Sequence, residues 1–265
     1  MAESLLTGAF IGYVVGSIFF LAGLVGKSRL WAKIAFIATL VGFVLLTGGL
    51  VARSLAAGRL PVANLYEFLL LFTWGIVGVY IYTAVKYNLA GAGAGAVVLP
   101  LVVGILGYSS LLGSEIRPLL PALQSYWLKL HVLTAVLAYG AFTVAFALSV
   151  LYLLGISLKE DKGQSEKLLD KLIYQLTAFG FAFLTLVILT GAIWAEEVWG
   201  TWWSWDPKET WSLITWLIYA SYLHLRRSPY WQGKRGAWLS CLGFTAVLFT
   251  LLGVTLLLPG LHSYR

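Results

Sequence analysis

Apolar runs of about twenty residues recur along most of this 265-residue chain. A helix rising about 1.5 Å per residue needs roughly that length to cross the ~30 Å hydrocarbon core of a bilayer. Spans are expected at residues 5–25, 32–52, 66–85, 93–112, 132–156, 172–194, 208–225 and 237–258. The expected fold is therefore all-α: a polytopic integral membrane protein with about eight transmembrane helices. With 60% hydrophobic and 11% charged residues, the chain has more apolar surface than a soluble domain of this length could bury. No repeat with a period of 20 to 50 residues and no boundary between globular domains is evident.

The basic residues report orientation. Lys27, Arg29, Lys33, Lys86, Lys159, Lys162, Lys167, Lys171, Arg226, Arg227, Lys234 and Arg235 fall in one set of alternate loops. The other set holds Arg53, Arg59, Arg117, Lys129, Lys208 and Arg265. Twelve against six places both termini outside the cytoplasm, because positive charge is retained inside. The net charge of +7 is thus topological, and nucleic-acid binding is not expected. The first run is too long for a signal-peptide core and lacks a basic leader or small-residue cleavage site, so it is expected to be retained. Cys241 is the one cysteine and lies in an apolar run, which excludes a disulfide framework and a CxxCH haem-attachment motif.

Between Trp194 and Trp211 lie six of the twelve tryptophans: Trp194, Trp199, Trp202, Trp203, Trp205 and Trp211. Tryptophan favours the membrane interface, but an interfacial belt spreads over several helix ends. Concentration at one end, interleaved with Asp206, Lys208 and Glu209, suggests a broad aromatic platform with fixed polar points. Asp206-Pro207-Lys208-Glu209 also reads as a helix start, with Asp at N-cap, Pro at N1 and Glu at N3. A second loop carries Pro61 and a capping Asn64 before Tyr66 and Glu67. The Ala90–Ala96 run alternates Gly and Ala and reads as a close-packing helix face. Lysines and acids between Lys159 and Lys171 read as a solvated extension of the helices.

There are three histidines. His131 opens the fifth span and His262 follows the eighth, both on the side of the tryptophan-rich loop. His224 lies near the opposite end of the seventh span, beside Arg226 and Arg227, sharing a face with Thr210, Leu213, Leu217, Ala220 and Ser221. Imidazole is an axial ligand for haem iron, and a flat macrocycle needs an apolar aromatic bed. A zinc site needs three or four clustered ligands, and no HxxxH or CxxC spacing supplies them.

The run WGTWWSWDPKETW followed by YLHLR resembles the tryptophan-rich "WWD" signature of haem-handling membrane proteins, and within that superfamily the CcsA (ResC-like) family of cytochrome c biogenesis. Pro61-Val-Ala-Asn64-Leu-Tyr-Glu67, Pro121-Ala-Leu-Gln124-Ser-Tyr-Trp127 leading to His131, and Gly260-Leu-His262-Ser-Tyr264 are similar to segments of that family in the same order. The motifs divide the chain into two N-terminal transmembrane helices, residues 1–60, and a six-helix haem-handling core, residues 61–265, with its extracytoplasmic loop at 195–211. The resemblance implies a subunit of a cytochrome c synthase (a haem lyase) that moves haem b from the cytoplasmic side to an outer site for attachment to apocytochrome c CxxCH motifs. It implies His131 and His262 as iron ligands there, with Trp199, Trp202, Trp203, Trp205 and Asp206 as the bed. It further implies an inner site at His224, completed by a ligand from a CcsB (ResB-like) membrane partner. No catalytic residue is assigned. The expected setting is the bacterial inner membrane, or a thylakoid membrane. The alternatives are a CcmC-type haem-delivery protein, against which eight spans and the YLHLR histidine count, and a transporter without cofactor.

Overall fold

A computed structural model describes residues 1–26, 28–89, 93–116, 118–158 and 161–258. The described residues are helical and contain no strand. The helices are α1 (Ala2–Val25), α2 (Arg29–Ala57), α3 (Leu65–Lys86), α4 (Gly95–Ser109), α5 (Tyr126–Leu153), α6 (Lys162–Trp199), α7 (Pro207–Leu225) and α8 (Lys234–Leu257). Six of them are long and apolar enough to cross a membrane: α1, α2, α3, α5, α6 and α8. The chain is thus an all-helical protein with the architecture of a polytopic membrane protein. Of the two remaining helices, α7 has 19 residues with a polar first turn, and α4 has 15. At about 22 Å, α4 is shorter than the span expected at 93–112. Its end comes early because Ser109 and Ser110 turn their hydroxyls back onto the carbonyls of Leu106 and Gly107.

The chain forms two compact units, Met1–Leu119 with Leu158, and Leu120–Ser157 with the residues from Asp161 onward. The division at residue 60 expected from the motifs is of another kind, and packing does not test it.

In the first unit, small residues let α1 and α2 lie almost backbone to backbone. A Cβ added to Gly12 would stand 3.2 Å from the Cα of Gly42, and one on Gly42 would stand 2.8 Å from the Tyr13 ring. Gly95 of α4 is packed against the Phe20 ring, which is the close approach expected of the Gly/Ala run; Ala90, Gly91 and Ala92 lie outside the described residues. One end of this unit is tied by Glu67, which is wholly buried and meets Arg53 Nε and Arg59 Nη1, each at 2.8 Å. Arg53 also donates to the carbonyls of Ser114 (2.8 Å) and Glu115 (3.3 Å). Asn64 caps α3 as expected, accepting from Glu67 N at 2.9 Å.

The second unit is built around two stacked rings. Phe142 of α5 and Tyr219 of α7 lie 3.8 Å apart and 3° from parallel. Gly180 of α6 seats the outer face of Phe142, and Gly243 of α8 seats Tyr219; a Cβ at either would come within 2.6 Å of the ring. Four helices therefore meet at one layer, Gly–Phe–Tyr–Gly, in which neither glycine has room for a methyl group. At the end of the unit remote from the tryptophan-rich loop, Arg226 joins Asp170 at 2.8 Å, and Asp170 also accepts from Gly233 N at 2.8 Å. That pair ties α6 to the α7–α8 connection.

The longest helix, α6, has 38 residues and a length of about 57 Å. Asp161 caps its start and Gly200, at φ +70°, ends it in the left-handed conformation that glycine adopts without cost. Its first turns bury Ser165 and Leu169 but expose Lys162, Glu166, Lys167 and Lys171, in keeping with the solvated extension read between Lys159 and Lys171; Lys159 itself lies outside the described residues. The last helix, α8, contains a π-bulge at Phe249–Gly253, where the Thr250 hydroxyl meets that of Thr215 at 3.1 Å.

Candidate functional site

The tryptophan-rich loop, the start of α7, the end of α6 and the start of α5 all belong to the second unit. Here α5 begins at Tyr126, earlier than the span expected at 132–156, because Ser125 caps it by accepting from Trp127 N at 3.0 Å. The Ser125 hydroxyl in turn donates to the Glu197 carboxylate on α6. His131 therefore lies in the second turn of α5, with its imidazole turned to α6.

The imidazole is fixed in three ways. Its Nδ1 is 2.9 Å from the carbonyl oxygen of Val187. A carbonyl only accepts, so Nδ1 carries the proton, and in the neutral imidazole Nε2 then carries the lone pair. Gly191 provides the room, since a Cβ there would stand 2.9 Å from both Nδ1 and Cε1. Trp194 lies alongside, its ring centroid 6.3 Å from that of His131 with 25° between the planes. Trp194 is itself held by its indole N–H, which donates to the Ala122 carbonyl at 2.9 Å. Trp199 meets Trp194 edge to face at 4.9 Å, completing a His131–Trp194–Trp199 line.

Beyond Gly200 the loop carries the other tryptophans. Trp203 and Trp205 meet edge to face at 5.7 Å and 89°. Trp202 is 58% exposed and Trp205 67%. Trp205 adopts φ +59°, a conformation that costs a residue with a Cβ about 1–2 kcal/mol. Asp206 is buried and caps α7, accepting from Lys208 N at 2.9 Å, and it forms a reciprocal capping box with Glu209. The helix start read from Asp206-Pro207-Lys208-Glu209 is thus present. Lys208 reaches Thr255 of α8 at 3.3 Å.

The structure brings His131 and Trp199 into one aromatic line through Trp194, and sets Trp202, Trp203, Trp205 and Asp206 on the loop that follows. His262 lies outside the described residues. His224 is at the far end of α7, 18 residues and about 27 Å from Asp206, so it belongs to a separate place. It is exposed, as are Leu217 and Ser221 on the same face, and its side chain has no hydrogen bond or ion pair with a described residue. The buried residues of α7, Thr215, Tyr219 and Tyr222, lie on the other side. Among the described residues there is no cluster of three His, Cys, Asp or Glu fit to hold a bare metal ion.

Sequence reasoning missed the Val187 carbonyl, the Gly191 clearance and the Ser125–Glu197 link. A backbone acceptor has no sequence signature. Gly191 carried a faint one, as a glycine inside an apolar helix that has a packing reason to be there.

Residues 62–262 match the family model "Cytochrome C assembly protein". The chain is 40% identical to a Guillardia theta protein named "Cytochrome c biogenesis protein CcsA", over 79% of this chain and 78% of that one. It is 38% identical to a protein of the same name from Synechococcus elongatus, over 79% and 80%. Among solved structures, "Cytochrome c Heme Lyase CcmF" superposes with a TM-score of 0.68 at 18% identity, over 95% of this chain and 46% of that one, a likeness of fold. The match over most of the chain, the helical bundle and the tryptophan-rich loop lead to one conclusion: this chain belongs to the cytochrome c assembly protein family, as a CcsA-type cytochrome c biogenesis protein.

Proposed function

We propose that this chain is the haem-handling subunit of a cytochrome c synthase, with haem b as its cargo. In this reading haem is taken up near His224 and presented at the other end of the bundle, where His131 and His262 serve as iron ligands beside the tryptophan-rich loop. The thiols of an apocytochrome c CxxCH motif there add across the haem vinyl groups, each S–H giving one C–S and one C–H bond. The reacting groups are those of the two substrates, so the protein's part is to orient them and exclude water.

The observation that carries the reading is the hydrogen bond from His131 Nδ1–H to the Val187 carbonyl. A histidine that binds iron through Nε2 donates its other N–H to such a carbonyl, which sets both tautomer and ring direction. The half-buried ring of Trp199, backed by the buried Trp194, and the exposed rings of Trp202 and Trp205 supply apolar, aromatic surface suited to a macrocycle.

At the opposite end, the exposed Leu217–Ser221–His224 face suits a helix from a CcsB-like subunit that would contribute a second ligand. The net basic charge of alternate loops supports a cytoplasmic inner end and an extracytoplasmic loop, in a bacterial inner membrane or a thylakoid. The test is an absorption spectrum of the purified chain with and without a co-expressed CcsB-like partner. Haem bands that strengthen with the partner support the proposal; a colourless complex overturns it.

A further inference from the structure

The carboxylate of Glu209 does more than close a capping box. Its Oε2 accepts from the backbone N–H of Ser204 at 2.8 Å and of Asp206 at 3.2 Å, the residues on either side of Trp205. The Ser204 hydroxyl reaches the same carboxylate at 3.3 and 3.4 Å. The next residue, Thr210, donates its hydroxyl to the Trp205 carbonyl at 3.2 Å. Trp205 between them holds φ +59°. N–H groups that converge from the two sides of a left-handed residue form a concavity suited to an anion, and here the anion is a side chain of the same protein. The backbone on both sides of the strained residue is therefore fixed from the first turn of α7, while its indole stays 67% exposed and braced edge-on by Trp203.

We infer that Glu209 is a positioning residue for the tryptophan-rich loop: its carboxylate holds Trp205 in the left-handed conformation and so sets the direction in which the exposed indole faces the bound macrocycle. This rests on the reading of the loop as a haem bed. A residue with only a capping role would need the single bond to Asp206 N; the bond to Ser204 N, on the far side of Trp205, is the one that a cap does not require. The negative charge strengthens both bonds, since an ionised acceptor binds N–H more tightly than a neutral one.

Two measurements on the purified full chain test it. Amide exchange across residues 200–209 reads the clamp directly. Glu209→Ala is expected to raise exchange at Ser204 and Asp206 by about tenfold or more, and Glu209→Gln, which keeps an oxygen but loses the charge, by less. Exchange in α7 beyond Thr215 stays unchanged if the effect is local. Unaltered exchange at Ser204 in Glu209→Ala overturns the clamp. Haem occupancy in the assembled complex reads the consequence. If Glu209 acts through Trp205, Glu209→Ala with Trp205→Ala loses no more haem than Trp205→Ala alone, whereas additive losses overturn the route through Trp205. Absence of haem from the wild-type complex would instead remove the haem-bed reading and with it the macrocycle half of the inference, and amide exchange would still decide the clamp.

Discussion

Gly191 of α6 and His131 of α5 are fitted to each other: the imidazole lies where a side chain on residue 191 would have been, 2.9 Å from the position of a Cβ. The helix can then offer its Val187 carbonyl to Nδ1.

Gly191→Ala is therefore expected to push the imidazole off that carbonyl while leaving α6 helical, since alanine is the better helix former. Haem occupancy should fall severalfold in protein that still reaches the membrane. Normal occupancy in Gly191→Ala, measured by absorbance per mole of inserted protein, would contradict the assignment of His131.

The Phe142–Tyr219 layer gives a prediction about stability alone. Gly243→Ala puts a methyl 2.6 Å from the Tyr219 ring, and the overpacking should cost about 1–3 kcal/mol. A lowered thermal midpoint in detergent is the expected result. Tyr219→Leu paired with Gly243→Ala should recover part of the loss, because a smaller side chain leaves room for the methyl; no recovery would show that the strain lies elsewhere.

Glu67 is the counter-charge for Arg53 and Arg59. Glu67→Ala leaves Arg53 buried without it, a change of roughly 3–5 kcal/mol in comparable buried pairs. Membrane abundance of the variant should drop sharply. Wild-type abundance together with lost cytochrome maturation would instead mark Glu67 as functional.

His224→Ala, co-expressed with a CcsB-like partner, is expected to lower haem in the complex at both ends if, as proposed, the outer site is fed from the inner one. Its exposed position and outward face predict that the isolated chain is as stable without the imidazole as with it. Full haem loading of the His224→Ala complex would leave this histidine an interfacial residue.

What the sequence allowed one to read follows the range of the interaction. Apolar runs located each helix, and the Asp206-Pro207-Lys208-Glu209 and Asn64 starts were legible because caps act over three residues. The start of α5 was placed late because Lys129 and His131 interrupt its apolar pattern while Ser125, the true cap, looks like loop. Partners separated in sequence left no local mark: Arg53 meets Ser114 and Glu115, and Asp170 meets Arg226 and Gly233, across 56 residues or more. The histidines and tryptophans stood out by type and clustering. The parts that hold them, the Val187 carbonyl, the Gly191 gap and the second bond of Glu209, depend on tertiary packing and on backbone atoms that every residue shares.

The central claim, that His131 presents a ligand nitrogen to haem, is tested most directly by the absorption spectrum of His131→Gly in the complete complex, recorded before and after imidazole is added. The account predicts a diminished and shifted Soret band in the variant, with the band and cytochrome c maturation partly restored by imidazole at the vacated coordination position. A spectrum identical to wild type before imidazole is added would contradict it.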